Sequence, residues 1–194
     1  MIWYPGFYIF LLFLTYAILR YVLLGPVEAT EIPLYLSNKA FAWTSLTLML
    51  LTISGRPHQK NFNPRVIATG MFLSLHLLSS LILLNPHYYP KFFEEGALGL
   101  PIQISLIAAC TGLVLMIPAI IHNLLRYLGV PSDSKKFNFT SLNFALLILC
   151  ALHLILIGYS GWIAPSTWHG YLPPISLICF IQLGIGSLLI KKCS

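Results

Sequence analysis

Six predominantly apolar stretches, each long enough to cross a bilayer as a helix, constrain this chain more than any other feature of its sequence. A hydrocarbon core of about 30 Å requires about 20 apolar residues in a helix. Inside lipid every backbone N–H and C=O must be satisfied, which only helices and closed barrels achieve. We therefore predict six transmembrane helices, at residues 3–24, 34–53, 65–84, 101–125, 139–159 and 173–190.

The composition leaves little material for any part outside the membrane. Hydrophobic residues make up 58% of the 194 residues and charged residues only 8%, whereas a soluble domain has about a quarter of its residues charged. We predict an all-α polytopic bundle that forms a single integral membrane domain over residues 1–194, in contact with lipid. Four residues follow the sixth stretch, so we expect no attached flavin or nicotinamide domain.

The positions of lysine and arginine predict the orientation, because these residues accumulate in cytoplasmic loops. They concentrate after the second and fourth stretches and in the tail: Arg56, Lys60 and Arg65, then Arg126, Lys135 and Lys136, then Lys191 and Lys192. The opposite loops contain Glu28, Glu31, Glu94 and Glu95. We therefore expect both termini in the cytoplasm, and we interpret the net charge of +6 as a topology signal and not as a nucleic-acid-binding surface.

Of the six histidines, only His76 and His153 fall deep within apolar stretches. His76 lies eight residues before the end of the third stretch, about 12 Å below the outer boundary at about 1.5 Å per residue. His153 lies six residues before the end of the fifth stretch, or about 9 Å below the same boundary. Both helices run outward from the cytoplasm, so the two imidazoles are expected at similar depth.

Ionisable groups at such depth are costly and usually functional, and a matched pair suggests one shared partner. A b-type haem takes two axial ligands on opposite faces, and imidazole is a common one. Ser79 and Ser80, three and four residues after His76, are placed to fix its tautomer or to contact a porphyrin edge. The alternative is that each imidazole simply hydrogen-bonds a neighbouring helix. Zinc is disfavoured because no third ligand falls at this level.

Short motifs between the second and sixth stretches add a family resemblance. They are Leu36-Ser37-Asn38-Lys39-Ala40, Leu75-His76-Leu77-Leu78-Ser79, Tyr88-Tyr89-Pro90-Lys91-Phe92-Phe93, Ala151-Leu152-His153, Gly161-Trp162 and Leu172-Pro173-Pro174. In these motifs the chain resembles bacterial ferric-reductase-like transmembrane proteins. The resemblance implies a six-helix domain in the bacterial inner membrane that moves electrons through haem b, with His76 and His153 as the iron ligands.

The resemblance also implies how many haems to expect. Relatives with two haems have a further histidine about thirteen or fourteen residues before each ligand, where this chain has Thr140 and the residues around Phe62. We therefore expect one haem, near the outer face. Electrons would come from membrane quinol or from a partner reductase. They would leave to an extracytoplasmic acceptor through the outer-loop residues Tyr88, Tyr89, Lys91, Glu94, Glu95, Trp168 and His169.

Two classes of function remain open at this point. The first is a haem-containing electron carrier, such as the membrane subunit of a ferric-reductase-type oxidoreductase. The second is a non-redox membrane protein, either a small transporter or an assembly factor, whose histidines are structural or relay protons. Internal repeats and broken helices would be expected of a transporter, and apart from Pro118 the sequence shows neither clearly.

Overall fold

The computed structural model describes residues 4–54, 63–130 and 139–193. Helices account for nearly all of this part of the chain. Six of them are long: α1 Tyr4–Ile18, α2 Ser37–Ser54, α3 Pro64–Leu83, α4 Leu100–Tyr127, α5 Phe139–Trp162 and α6 Ile175–Cys193. The prediction of an all-α helical bundle is confirmed.

Part of the predicted cytoplasmic charge lies beyond the described residues. Arg56, Lys60, Lys135 and Lys136 fall in segments outside the described ranges, as do His58 and Phe62. The side chains of Thr140, Lys191 and Lys192 are likewise outside the description. Among the residues of the predicted cytoplasmic side, Arg65 and Arg126 are described, and they lie at the start of α3 and the end of α4.

Within the described residues, five segments are long and apolar enough to cross a membrane, which makes the chain a multi-pass membrane protein in contact with lipid. They are Pro5–Leu23, Pro64–Leu83, Leu100–Tyr127, Leu142–Trp162 and His169–Leu188. The second predicted stretch is not among them. Its helix, α2, forms over residues 37–54, but it carries more polar side chains than the other long helices.

The polarity of α2 follows from its central position. This helix packs against α1, α3 and α6, and its buried side chains include the polar Ser37, Asn38, Thr44 and Ser45. The Thr44 hydroxyl, for example, donates to the carbonyl of Ala40 at 2.7 Å. A helix covered by its neighbours exposes little surface to lipid, so it does not need the apolar outer face that a peripheral helix needs.

Side chains from three helices meet in the core around Trp43. The Trp43 ring stacks on Phe13 of α1 with centroids 3.8 Å apart. Its indole N–H donates to the Gln182 side-chain oxygen of α6 at 2.8 Å, and the Gln182 amide donates to Thr47 at 2.9 Å. The polar groups of Trp43, Thr47 and Gln182 in this cluster therefore all have partners, as burial requires.

Two π-helical turns and a hairpin mark one end of the bundle, which we call the hairpin end. The π turn Leu19–Leu23 continues α1, and the π turn Ile32–Leu36 leads into α2. Between α3 and α4, strands β1 (Phe93–Glu94) and β2 (Ala97–Leu98) pair antiparallel. Both residues of the connecting turn, Glu95 and Gly96, have positive φ, as a two-residue type I′ turn requires.

Candidate functional site

The imidazole rings of His76 and His153 face each other between α3 and α5. Their centroids are 6.2 Å apart and their planes are inclined by 78°. Helix α3 packs on α2 and α4, whereas α5 packs on α4 and α6, so the two side chains reach toward each other from helices with different main neighbours. The structure thus brings together the two histidines that were predicted to share a ligand.

A carboxamide from α2 orients the first ring. Nδ1 of His76 lies 2.6 Å from Oδ1 of Asn38, and because a carboxamide oxygen only accepts, Nδ1 carries the proton and donates it. Asn38 is held in turn, since its Nδ2 donates to Oγ of Ser80 at 3.1 Å. Oγ of Ser80 also lies 3.4 Å from Nδ1 of His76. Ser80 therefore supports this ring mainly through Asn38.

A serine from α4 orients the second ring. Nδ1 of His153 lies 2.8 Å from Oγ of Ser105 and 3.2 Å from its backbone oxygen. Because a carbonyl oxygen accepts and cannot donate, the backbone contact favours a proton on Nδ1 of His153, whereas the Ser105 hydroxyl can either donate or accept. Ser105 is only 1% exposed, which keeps water from competing for this bond. Each imidazole thus has its second nitrogen, Nε2, as the one that bears a free lone pair.

The spacing of the two rings fits a single metal ion between them. Metal–nitrogen distances of about 2.0–2.1 Å on both sides would place the ring centres about 6 Å apart, close to the observed 6.2 Å. Within residues 4–54, 63–130 and 139–193, no group of three or more His, Cys, Asp or Glu side chains could hold a metal. Among the described residues, His76 and His153 thus form a pair without a third side-chain ligand of these types.

Comparison with known proteins adds no relative. The sequence matches no protein-family model and none of the curated proteins with which it was compared. The resemblance to ferric-reductase-like proteins therefore stays a prediction, and what can be said of function follows from the geometry of these side chains.

Ser79, the other serine predicted at this site, has a different environment from Ser80. The hydroxyl of Ser79 donates to the carbonyl of Leu75 in its own helix at 2.7 Å. That bond satisfies the proton of this hydroxyl without the help of another helix, as is common for serine in membrane helices. A contact between Ser79 and a porphyrin edge stays a prediction.

Asn38 and Ser105 are the two members of the site that sequence reasoning missed. Asn38 gave a usable signal, because a carboxamide inside an apolar stretch is costly to bury unless it has a partner. Ser105 gave none, since several serines fall in these stretches and a hydroxyl can be satisfied by its own helix. Only the packing of α4 against α5 identifies it as the partner of His153.

Lys39, the residue after Asn38, lies among aromatic side chains that extend to the hairpin end. Its ammonium lies 4.3 Å from the ring centre of Tyr35, 5.1 Å from that of Tyr21 and 5.7 Å from that of Tyr89. Tyr35 in turn stacks on Tyr88 at 6.1 Å. We call these four tyrosines the tyrosine cluster. Its rings stabilise the ammonium through cation–π interactions.

Burial and charge shift the pKa values of Tyr89 and Lys91, which lie in the loop after α3. Burial raises the pKa of Tyr89 above its ordinary value, although the nearby Lys39 acts in the opposite direction. Burial and, secondarily, the Lys39 ammonium lower the pKa of Lys91. Burial thus disfavours the charged form of both side chains, and the Lys39 ammonium makes a charged Lys91 still less favourable.

Proposed function

We propose that this protein is a membrane electron carrier that binds one b-type haem between His76 and His153. The observation that carries the proposal is the position of the two rings, 6.2 Å apart, with each Nδ1 engaged by another helix. A bound haem would supply a one-electron couple at its iron. His76 and His153 would hold the iron through Nε2, the nitrogen left available when Nδ1 donates to its partner on another helix.

Asn38 and Ser105 have the role of orienting partners. A hydrogen bond from Nδ1–H to an acceptor fixes the tautomer and the ring plane, and it makes Nε2 a more basic ligand. Asn38 provides a carboxamide oxygen and Ser105 a hydroxyl and a backbone oxygen. All of these acceptors are neutral, so they increase the basicity of the ligands less than a carboxylate would.

In the arrangement we propose, all six long helices cross the bacterial inner membrane and the hairpin end faces outward. The central position of α2 supports a sixth span, because the surrounding helices α1, α3 and α6 shield its polar groups from lipid. Arg65 and Arg126 at the opposite end support cytoplasmic termini. His76 and His153 would then lie in the outer half of the bilayer.

The tyrosine cluster suggests where electrons leave. It connects Lys39, the residue after Asn38, with the loops of the hairpin end through successive ring contacts, such as that of Tyr35 with Tyr89 at 5.8 Å. Tyr21 also lies 6.1 Å from the ring of His169. An extracytoplasmic acceptor could dock there, while membrane quinol or a partner reductase donates. The chain would then serve as the membrane subunit of a ferric-reductase-type oxidoreductase.

Absorption spectroscopy of the protein purified in detergent tests the proposal. We expect a strong Soret band and, on reduction, the sharp α band of low-spin iron with two histidine ligands. His76→Ala and His153→Ala should abolish both bands without preventing membrane insertion, whereas the loop variant His87→Ala should keep them. Retention of haem by both ligand variants would contradict the proposal. A wild-type protein that takes up no haem would favour the non-redox alternative.

A further inference from the structure

Arg20 is a buried cation that the proposed electron transfer does not use. It lies in the π turn Leu19–Leu23 of the hairpin end and is 4% exposed. Its Nε and Nη1 atoms are buried and have no hydrogen-bond partner in the described part of the chain. The guanidinium contacts the ring of Tyr21, with 5.0 Å from Cζ to the ring centre.

Such an arrangement is unfavourable unless something else completes it. A buried charge without a partner loses its hydration and gains nothing in return. Three polar side chains of this part of the protein have partners other than Arg20. The carboxylate of Glu31 interacts with the Tyr88 hydroxyl, that of Glu28 accepts from Thr30 at 3.3 Å, and the hydroxyl of Tyr16 donates to the carbonyl of Pro173 at 2.8 Å.

Lys39 is a second cation, and it contacts the same tyrosine ring as Arg20. Its ammonium is 5.1 Å from the centre of the Tyr21 ring, the ring that Arg20 also contacts. The two cations share one tyrosine ring, and together they make the electrostatic potential beside that ring more positive. An anion beside Arg20 would offset that potential and would accept hydrogen bonds from the N–H groups of Nε and Nη1.

We infer that Arg20 anchors an oxyanion-binding site at the hairpin end, with Lys39 as its second cation and a phosphate or carboxylate group as its ligand. The planar guanidinium binds such groups through short, charge-assisted hydrogen bonds. The π turn agrees with this role, because π turns within helices occur frequently at functional sites. The position of Arg20 also agrees with this role. It lies three residues before Leu23, where the candidate span ends, so it is about 4.5 Å from that end along the helix axis.

An oxyanion can reach this depth from two sources. A soluble phosphate or carboxylate could enter from the aqueous side, and the phosphate of a lipid headgroup could enter from the membrane boundary. The site does not depend on haem, because neither cation is a proposed iron ligand. It therefore goes beyond the proposed electron transfer and can be tested separately.

Thermal unfolding of the full-length protein in detergent, at constant ionic strength, provides the test. Replacing chloride by inorganic phosphate or citrate should raise the melting temperature of the wild type by roughly 5 °C when the anion is in large excess over its Kd. Arg20→Gln should abolish this shift, and in chloride it should melt no lower than the wild type, because it removes an uncompensated charge. Arg126→Gln, which removes a cation from the opposite end, should keep the full shift.

A second arm identifies the source of the oxyanion. In nanodiscs of phosphatidylglycerol, compared with discs of an uncharged galactolipid, a lipid ligand would stabilise the wild type but not Arg20→Gln without added phosphate or citrate. A soluble ligand would require the added anion in both lipids. Either result supports the site. The inference would be overturned if the melting temperature of the wild type depended on neither anion nor lipid. It would also be overturned if Arg20→Gln retained the shift or melted lower than the wild type in chloride. A missing haem spectrum would leave these measurements intact.

Discussion

The hydrogen bond between Asn38 and His76 offers the sharpest test of the site. Asn38→Ala removes the oxygen that lies 2.6 Å from Nδ1 of His76, and it leaves Ser80, at 3.4 Å, as the nearest remaining acceptor. The ring would then lose the interaction that fixes its tautomer and plane, although Nε2 itself would be unchanged. The expected effect is a weaker iron ligand rather than a lost one.

Two independent considerations give the magnitude of the expected loss of haem affinity. Leaving a buried donor without a partner costs about 1–3 kcal/mol, and removal of an orienting partner of a metal-bound histidine typically lowers affinity about 10–100-fold. Since a tenfold change corresponds to about 1.4 kcal/mol, the two ranges agree. We expect Asn38→Ala to bind haem about 10–100-fold more weakly than the wild type, with the spectrum of two histidine ligands retained at saturating haem.

Titration of haem into the haem-free protein in detergent, followed at the Soret band, measures this Kd. Ser37→Ala is a matched control, because Ser37 is also a buried polar residue at the start of α2, yet its hydroxyl donates to the carbonyl of Ile32 at 2.9 Å. Asn38→Asp should preserve binding and lower the midpoint potential, because a carboxylate is a stronger acceptor. An affinity of Asn38→Ala within twofold of the wild type, or an equal loss in Ser37→Ala, would refute the reasoning.

Three further outcomes follow from single contacts. Ser105→Ala should weaken haem binding less than Asn38→Ala, because the backbone oxygen of Ser105 stays 3.2 Å from Nδ1 of His153; the same titration measures it, and a larger loss would contradict the assignment of that oxygen as an acceptor. Gly186→Ala should lower the melting temperature, since its Cβ would lie 2.7 Å from Cδ2 of Leu50, whereas Gly184→Ala, with nothing within 4 Å, should not. Lys91→Gln should stabilise the protein near neutral pH. Its folded pKa is lowered, so the unfolded chain binds more protons just below about pH 10.5 and wild-type stability rises through that range; denaturation at several pH values should show the variant's advantage shrinking as pH rises, and a constant difference would argue against the effect.

The helices and the histidine pair were predictable from the sequence because both depend on position along a helix axis. Apolar length located all six helices, and counting residues from the boundary placed His76 and His153 at one depth. Rotation about each axis is set by packing between helices, which spacing does not reveal. Asn38 and Ser105 were missed for that reason.

Arg20 shows a second limit of the same kind. A regular helical period of about 3.6 residues assigns a face to each side chain, but a π turn shifts the residues that follow it. In addition, a count of charges by loop does not separate cations in solvent from cations enclosed by tyrosines. The enclosed positions of Arg20 and Lys39 emerge only when the π turn and the tyrosine cluster are seen together.

The polar character of α2 has a consequence for how the protein is made. Leu, Ile and Phe favour insertion of a helix by the translocon, whereas residues such as Asn38 and Lys39 oppose it. In the six-span arrangement, α2 would therefore enter the bilayer together with α3, on which it packs, as a hairpin and not as an independent segment. Biogenesis would thus depend on the synthesis of α3, the helix that carries His76, before α2 is released into lipid.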